Sequence, residues 1–207
     1  MPKKVFYQLS DEKRNKLINA SYLVFSKNSY FNTSINQLTK DLDITRTAFY
    51  YYFYNKEDLY DYLVELEKNK FINNFIYNKD EKLSLEEIFF YLFDFLSEYK
   101  NTSKQDFIID LLYNISFDRK DELLEKLTNH GHYCHFIGFD EYNIDSIDEA
   151  REIVYIFFSI VAREISIYYK TNKSLEDAKR DLEKKIDLIK YGIDKGEQNE
   201  PQYRYSN

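Results

Sequence analysis

Thr45-Arg46-Thr47-Ala48-Phe49-Tyr50-Tyr51-Tyr52-Phe53 is a two-turn segment in which residues four apart fall on a common helical face. Phe49 and Phe53 share one face, with Ile44 leading into it, while Arg46 pairs with Tyr50 and Thr47 with Tyr51 on the other. The first face needs a core. The second offers water a guanidinium, a hydroxyl and two phenols, an unusually aromatic surface that suits an interface because a Tyr ring packs while its hydroxyl hydrogen-bonds. Working outward, Thr33 or Ser34 caps a short preceding helix with Ile35, Leu38 and Leu42 inward, and Asp43 and Ile44 separate the two helices. Two short helices across a tight turn form a helix-turn-helix pattern. Ser10 caps an earlier helix predicted over 11–27, with Leu17, Ile18, Ala20, Tyr22, Val24 and Phe25 on its apolar stripe. Asn55 caps a long fourth helix through Leu59, Leu63 and Leu66 towards Ile76.

The rest of the chain reads as more helix. Pro occurs only at positions 2 and 201, and no Gly precedes Gly131, so the residues that break helix interiors are nearly absent. Ser84 with Glu87 and Ser146 with Glu149 have capping-box spacing, and Ser174 with Asp177 is a weaker version. Phe107, Leu111 and Ile115 predict a helix after Ser103; Leu123, Leu124 and Leu127 predict another after Asp118. Two long helices follow over 145–195, one around Ile156, Phe157, Ile160 and Val161, the other through Leu175, Ala178, Leu182, Ile186, Ile189 and Ile193. The expectation is an all-α fold of about nine helices, divided into a helix-turn-helix domain over 1–56 and a larger domain over 57–207.

The formal net charge of −7 argues at first against a nucleic-acid partner, but its distribution reverses the inference. Residues 1–56 hold nine Lys or Arg against four Asp or Glu, a net +5, and the remainder carries −12. A small phosphate-facing module on an acidic body fits that asymmetry. The single Cys, Cys134, excludes an intramolecular disulfide, and no secretory pattern opens the chain, so a reducing, cytoplasmic setting is expected. The longest apolar stretch, Ile153 to Ala162, is far shorter than the roughly 20 residues that span a bilayer.

The outward face of the 45–53 segment has the chemistry of a reader: an Arg fork suits guanine in the major groove, a Thr meets base edges, and Tyr hydroxyls reach phosphates. The competing reading is that Tyr50 to Tyr52 only pack inward, which would not require Arg46, Thr47 and Lys56 beside them. Residues 25–59 resemble the helix-turn-helix of the TetR family of transcriptional regulators. The resemblance is carried by Phe25, by Thr33-Ser34-Ile35, by Tyr50-Tyr51-x-Phe53 and by Asn55-Lys56-Glu57-x-Leu59. It implies that Asn36, Arg46, Thr47 and Tyr51 approach base edges and that Thr33, Thr45, Tyr50, Tyr52 and Lys56 face phosphates. It also implies a homodimer, formed by the last two helices, on palindromic double-stranded operator DNA, and a repressor released by a small molecule that no residue pattern identifies. The family's usual Gly positions hold Ser29 and Asp43, and its usual Ala is Thr39. Asp43 is the departure of consequence, since that turn often takes φ above zero, which Asp adopts less readily than Gly.

Helices four to seven would enclose the effector, and Phe89, Phe93, Phe107, Tyr113 and Phe117 are candidates for its lining, although aromatic residues at helical spacing are more often core. His130-Gly131-His132-Tyr133-Cys134-His135 gathers every His and the only Cys. His130, His132, Cys134 and His135 suit zinc, copper or redox sensing, against the plainer reading of a polar loop, because four ligands within six residues rarely close one tetrahedron. No phosphate loop, nucleophile elbow or metalloprotease motif points to an enzyme, and no cofactor is implied. The remaining alternatives are a metal- or redox-responsive regulator and a helical interaction module without DNA binding.

Overall fold

Seven side chains accept a backbone N–H three residues downstream and so set where helices begin: Ser10, Ser34, Thr45, Asn55, Ser84, Ser146 and Ser174. At Ser84 the capping box is complete, since Glu87 also accepts from the Ser84 amide. The computed structural model describes residues 1–76, 83–113 and 146–192. A 3₁₀ turn over Lys4–Gln8 leads into α1 (Asp11–Asn32), α2 (Ile35–Asp41), α3 (Arg46–Tyr52) and α4 (Lys56–Phe71). A π-helical turn, Ile72–Ile76, ends α4; α5 (Leu85–Ser97), α6 (Gln105–Tyr113), α7 (Ile147–Lys170) and α8 (Leu175–Tyr191) follow. Eight α-helices and no strands are thus present among the described residues, in agreement with the all-α expectation. The helix expected after Asp118 lies outside them.

The first helix departs from its predicted end at residue 27. It kinks at Ser29 (φ 59, ψ 166) and resumes to Asn32, because Thr33 Oγ1 donates to the Ser29 carbonyl at 2.6 Å and the buried Asp110 of α6 accepts the Tyr30 amide at 2.9 Å. That backbone region strongly favours Gly, so Ser29 is held there by its neighbours. Beside a small separate cluster at Ile72 and Leu83, the main hydrophobic core among the described residues runs from Phe6 to Ile186. Within it α1 packs on α6 and α4, and α7 packs on α5 and α8. In α8 the buried stripe is narrower than its sequence suggests: Ala178, Leu182 and Ile186 are inside, while Leu175, Leu188, Ile189 and Tyr191 are exposed, as is Ile156 of α7. None of the helices in the described residues is long and apolar enough to cross a membrane.

A buried carboxylate ties the first helices to the body. Glu67 of α4, only 3% exposed, accepts from Tyr22 of α1, from Tyr99 beyond α5, from Lys70 at 2.9 Å and from Lys104 at 2.8 Å. Burial alone would raise its pKa, but hydrogen bonds from Lys104, Tyr22, Tyr99 and Lys70 overcome that and bring it from 4.5 down to about 2. A depressed pKa contributes stability that is present above the unfolded value of 4.5 and is lost as pH falls towards 2. The shift corresponds to on the order of 2 kcal/mol after allowance for solvent screening around the two lysines. Glu67→Gln should therefore melt well below the parent at pH 7, and the gap should close as pH is lowered from 4.5 to 3. Melting curves across that range check it; a gap independent of pH would remove the charge from the explanation.

Candidate nucleic-acid interface

The turn between α2 and α3 forms without glycine. Asp43 takes φ 54, and the Asp43 and Ile44 amides donate back to the carbonyls of Lys40 and Thr39 at 3.3 and 3.0 Å. The left-handed conformation that the sequence put in question is thus adopted, by one of the residue types that tolerates it best. Thr45 then caps α3, its Oγ1 accepting from the Ala48 amide at 3.1 Å. Seven residues are too few for a helix to persist alone, so packing must hold α3. Phe49 and Phe53 are fully buried with ring centroids 5.4 Å apart, and Phe6 from the N-terminal turn packs on Phe53 at 5.1 Å.

Burying that face turns the opposite one outward. Arg46 and Thr47 are exposed, with Tyr50 38% and Tyr51 60% exposed. Asn36, on α2, is also exposed and accepts from Arg46 Nη1 at 3.4 Å, while the guanidinium lies 5.7 Å from the Tyr50 ring. The structure thus brings Asn36, Arg46 and Tyr50 together on one surface, with Thr47 and Tyr51 beside them on α3.

The residues expected to face phosphates are placed less uniformly. Thr45 is exposed, with its hydroxyl engaged as the cap, and Tyr52 is half-buried with its ring edge-on to Phe6 at 6.3 Å. Thr33 is withdrawn: it is 2% exposed and its hydroxyl is spent on Ser29, which corrects the expectation of a phosphate contact for its side chain. Lys56 is partly inward as well. Its ammonium donates to the carbonyls of Tyr30 at 2.6 Å and Thr33 at 2.8 Å and lies 4.3 Å from the Tyr30 ring, and burial lowers its pKa. Sequence reasoning missed Lys3, which reaches the end of α3, and Tyr54, which is 68% exposed beside it. The only signal for the first was a basic pair three residues ahead of a Phe.

Of the other predicted sets, Phe89, Phe93, Phe107 and Tyr113 fall among the described residues. Phe89, Phe93 and Phe107 are core: Phe89 stacks on Phe157 at 5.2 Å, Phe93 meets Tyr168 at 6.2 Å and Phe107 lies edge-on to Tyr22 at 5.0 Å. Their burial and these ring contacts favour the core reading that aromatic residues at helical spacing more often have. Tyr113 is exposed and donates to the Ala162 carbonyl at 3.1 Å. Phe117, His130, His132, Cys134 and His135 lie outside the described residues. An open cleft of about 270 Å³ sits instead between α1 and α6, lined by Ser29, Asn32, Asp106 and Asp110 among others.

A helix-turn-helix whose second helix turns a guanidinium, a hydroxyl and two phenols outward, set on a larger all-helical body, defines the class of this protein. The family described as bacterial regulatory proteins, tetR family, matches residues 17–63, and the tetracyclin repressor-like C-terminal domain matches residues 85–193. The chain belongs to the TetR family. Among its relatives is the biofilm operon icaADBC HTH-type negative transcriptional regulator IcaR of Staphylococcus epidermidis, 30% identical over 83 residues that make up 40% of this chain and 45% of that protein. An HTH-type transcriptional regulator of Staphylococcus aureus is 29% identical over 93 residues, 45% of this chain and 50% of its own. The chain spans about half the length of the curated relatives it matches. Among solved structures, a TetR family regulator from Chloroflexus aurantiacus superposes with a TM-score of 0.56 at 18% identity, covering 92% of this chain and 97% of that one. A regulator from Aquifex aeolicus gives 0.55 at 22%, covering 86% and 99%. These likenesses establish the fold.

The two carbonyl bonds of Lys56 separate a structural role from a phosphate-facing one. A cation in the first turn of α4 opposes the helix dipole, so removing a Lys that served phosphate alone should leave stability unchanged or slightly raised. Lys56→Met should instead lower stability of the free protein by about 1 kcal/mol, because two charge-assisted hydrogen bonds are lost. Denaturant titration without DNA checks the sign.

Proposed function

We propose that this chain is a dimeric transcription repressor that reads palindromic double-stranded operator DNA with α2 and α3 and releases it when a small molecule alters the body. The observation that carries the reading is the outward face of α3: Arg46, Thr47, Tyr50 and Tyr51 project from one side of a helix anchored on the other by the fully buried Phe49, with Asn36 bonded to the Arg. Asn36, Arg46, Thr47 and Tyr51 are assigned to base edges. Thr45, Tyr50 and Tyr52 are assigned to phosphates, with the third proton of Lys56 available for a further one. The basic first 56 residues on an acidic remainder favour that surface over any other for a polyanion. The name of the Staphylococcus epidermidis relative, a negative transcriptional regulator, supports repression.

The exposed Ile156, Leu175, Leu188 and Ile189 on α7 and α8 are apolar residues that a second copy would cover, and a two-fold dimer matches a palindromic site. For release, Asp110 supplies a joint. It sits on α6 in the body and holds the Tyr30 amide just ahead of α2, so displacing α6 would disturb the entry to the reading helices. We place the boundary of the DNA-binding domain at 56 and the sensing and dimerising domain over 57–207, in a cytoplasmic protein.

Duplexes enriched from random sequence by the parent chain test the reading. Arg46→Ala should lose about 1 to 3 kcal/mol on the enriched duplex, relax preference at one base pair per half-site, and bind scrambled DNA nearly as before. Equal losses on both duplexes would remove Arg46 from base readout. Enrichment of no duplex at low salt would turn the assignment towards a helical interaction module.

Sedimentation tests the assembly separately. A species near twice the 25.2 kDa chain mass is expected at micromolar concentration, and a species at the chain mass alone would overturn the dimer.

A further inference from the structure

The last turn of α3 leaves carbonyls that no amide within the helix can reach. The final bond of the regular ladder runs from the Phe53 amide to the Phe49 carbonyl at 2.9 Å. The next amide, that of Tyr54, would be the partner of the Tyr50 carbonyl, but it donates instead to Asp58 Oδ2 at 3.1 Å. A seven-residue helix with such an end frays unless something outside it supplies donors.

Lys3 supplies two. Its backbone amide donates to the Tyr52 carbonyl at 2.9 Å and its ammonium to the Tyr50 carbonyl at 2.7 Å, and the same ammonium lies 4.4 Å from the Tyr54 ring. A cation at this end also complements the negative pole of the helix. The arm that carries Lys3 is itself anchored. Phe6 is fully buried, 5.1 Å from Phe53 and 5.3 Å from Tyr62, so Lys3 is delivered to α3 by a fixed turn of backbone.

We propose that Lys3 is a positioning residue for DNA reading: from outside the helix-turn-helix it clamps the last turn of α3 and thereby holds Tyr50 and Tyr51 in register with the surface they meet. The proposal rests on the DNA-binding reading above. It differs from a phosphate contact because the Lys3 ammonium is directed at a carbonyl of α3 and acts through that helix.

The test compares the parent with Lys3→Met, which keeps the stem and loses the charge and donors, and with Lys3→Arg, which restores both. Amide exchange in the free protein reads the clamp without DNA. Titration against a duplex enriched by the parent, and against its scrambled form at several salt concentrations, reads its consequence. Losing one charge-assisted hydrogen bond should speed exchange at the Phe53 amide about tenfold in Lys3→Met and lower affinity for the enriched duplex about as much. Binding to the scrambled duplex and the salt slope should stay nearly unchanged, and Lys3→Arg should recover both readouts. Unchanged exchange at Phe53 would overturn the clamp. Equal losses on both duplexes, with the salt slope reduced by about 1 per half-site, would make Lys3 a phosphate contact instead. If the parent enriches no duplex, the functional reading fails and positioning for DNA fails with it, while the exchange measurement still decides whether Lys3 holds α3.

Discussion

The burial of Phe49 and Phe53 beneath α3 is the constraint on which the functional surface depends. Each fully buried ring contributes about 2 kcal/mol by removal from water, far more than seven residues of helix propensity can supply. Once those two rings are inside, the helical repeat leaves Arg46, Thr47, Tyr50 and Tyr51 no direction but outward. The chemistry of the outward face therefore follows from the packing of its back. The core that receives the rings is partly built by Phe6, so the N-terminal turn is structurally part of the helix-turn-helix unit.

A second set of interactions joins that unit to the body. The peptide groups around Tyr30 are held from two sides: the Asp110 carboxylate takes the Tyr30 amide, and Lys56 donates to the carbonyls of Tyr30 and Thr33. Deeper in the joint, Glu67 gathers Tyr22 of α1, Tyr99 and Lys104 around one buried negative charge. These are directional polar contacts at low dielectric, which favour one arrangement of the elements and weaken sharply when geometry shifts. Apolar packing alone tolerates sliding to a greater degree. A joint of this kind is suited to carrying a displacement of α6 towards the entry to α2.

Most of the fold was legible in the chain because its signals are local. Caps at Ser10, Ser34, Thr45, Asn55, Ser84, Ser146 and Ser174 act on amides three residues away, and the spacing of Phe49 and Phe53 states which side of α3 is inside. The same spacing placed Arg46, Thr47 and Tyr51 outward without reference to any other element. At Asp43 the sequence raised the question of a positive φ without answering it, and the backbone answers at φ 54.

What the tertiary structure decided depends on residues far apart in sequence. Thr33 sits at a helix start, where its hydroxyl should face outward, yet it is drawn in because α1 kinks at Ser29 and presents a carbonyl to it. The kink in turn answers to Asp110, eighty residues away. Lys56 has the composition of a phosphate contact, and only the approach of the Tyr30 and Thr33 carbonyls makes it a clamp. Phe89 and Phe107 have the spacing of either core or cavity, and the rings packed against them, Phe157 and Tyr22, come from distant parts of the chain. Local periodicity determines the side of a helix on which a residue stands; what stands opposite is a long-range fact, and it alone distinguishes a buried contact from a surface left for a partner.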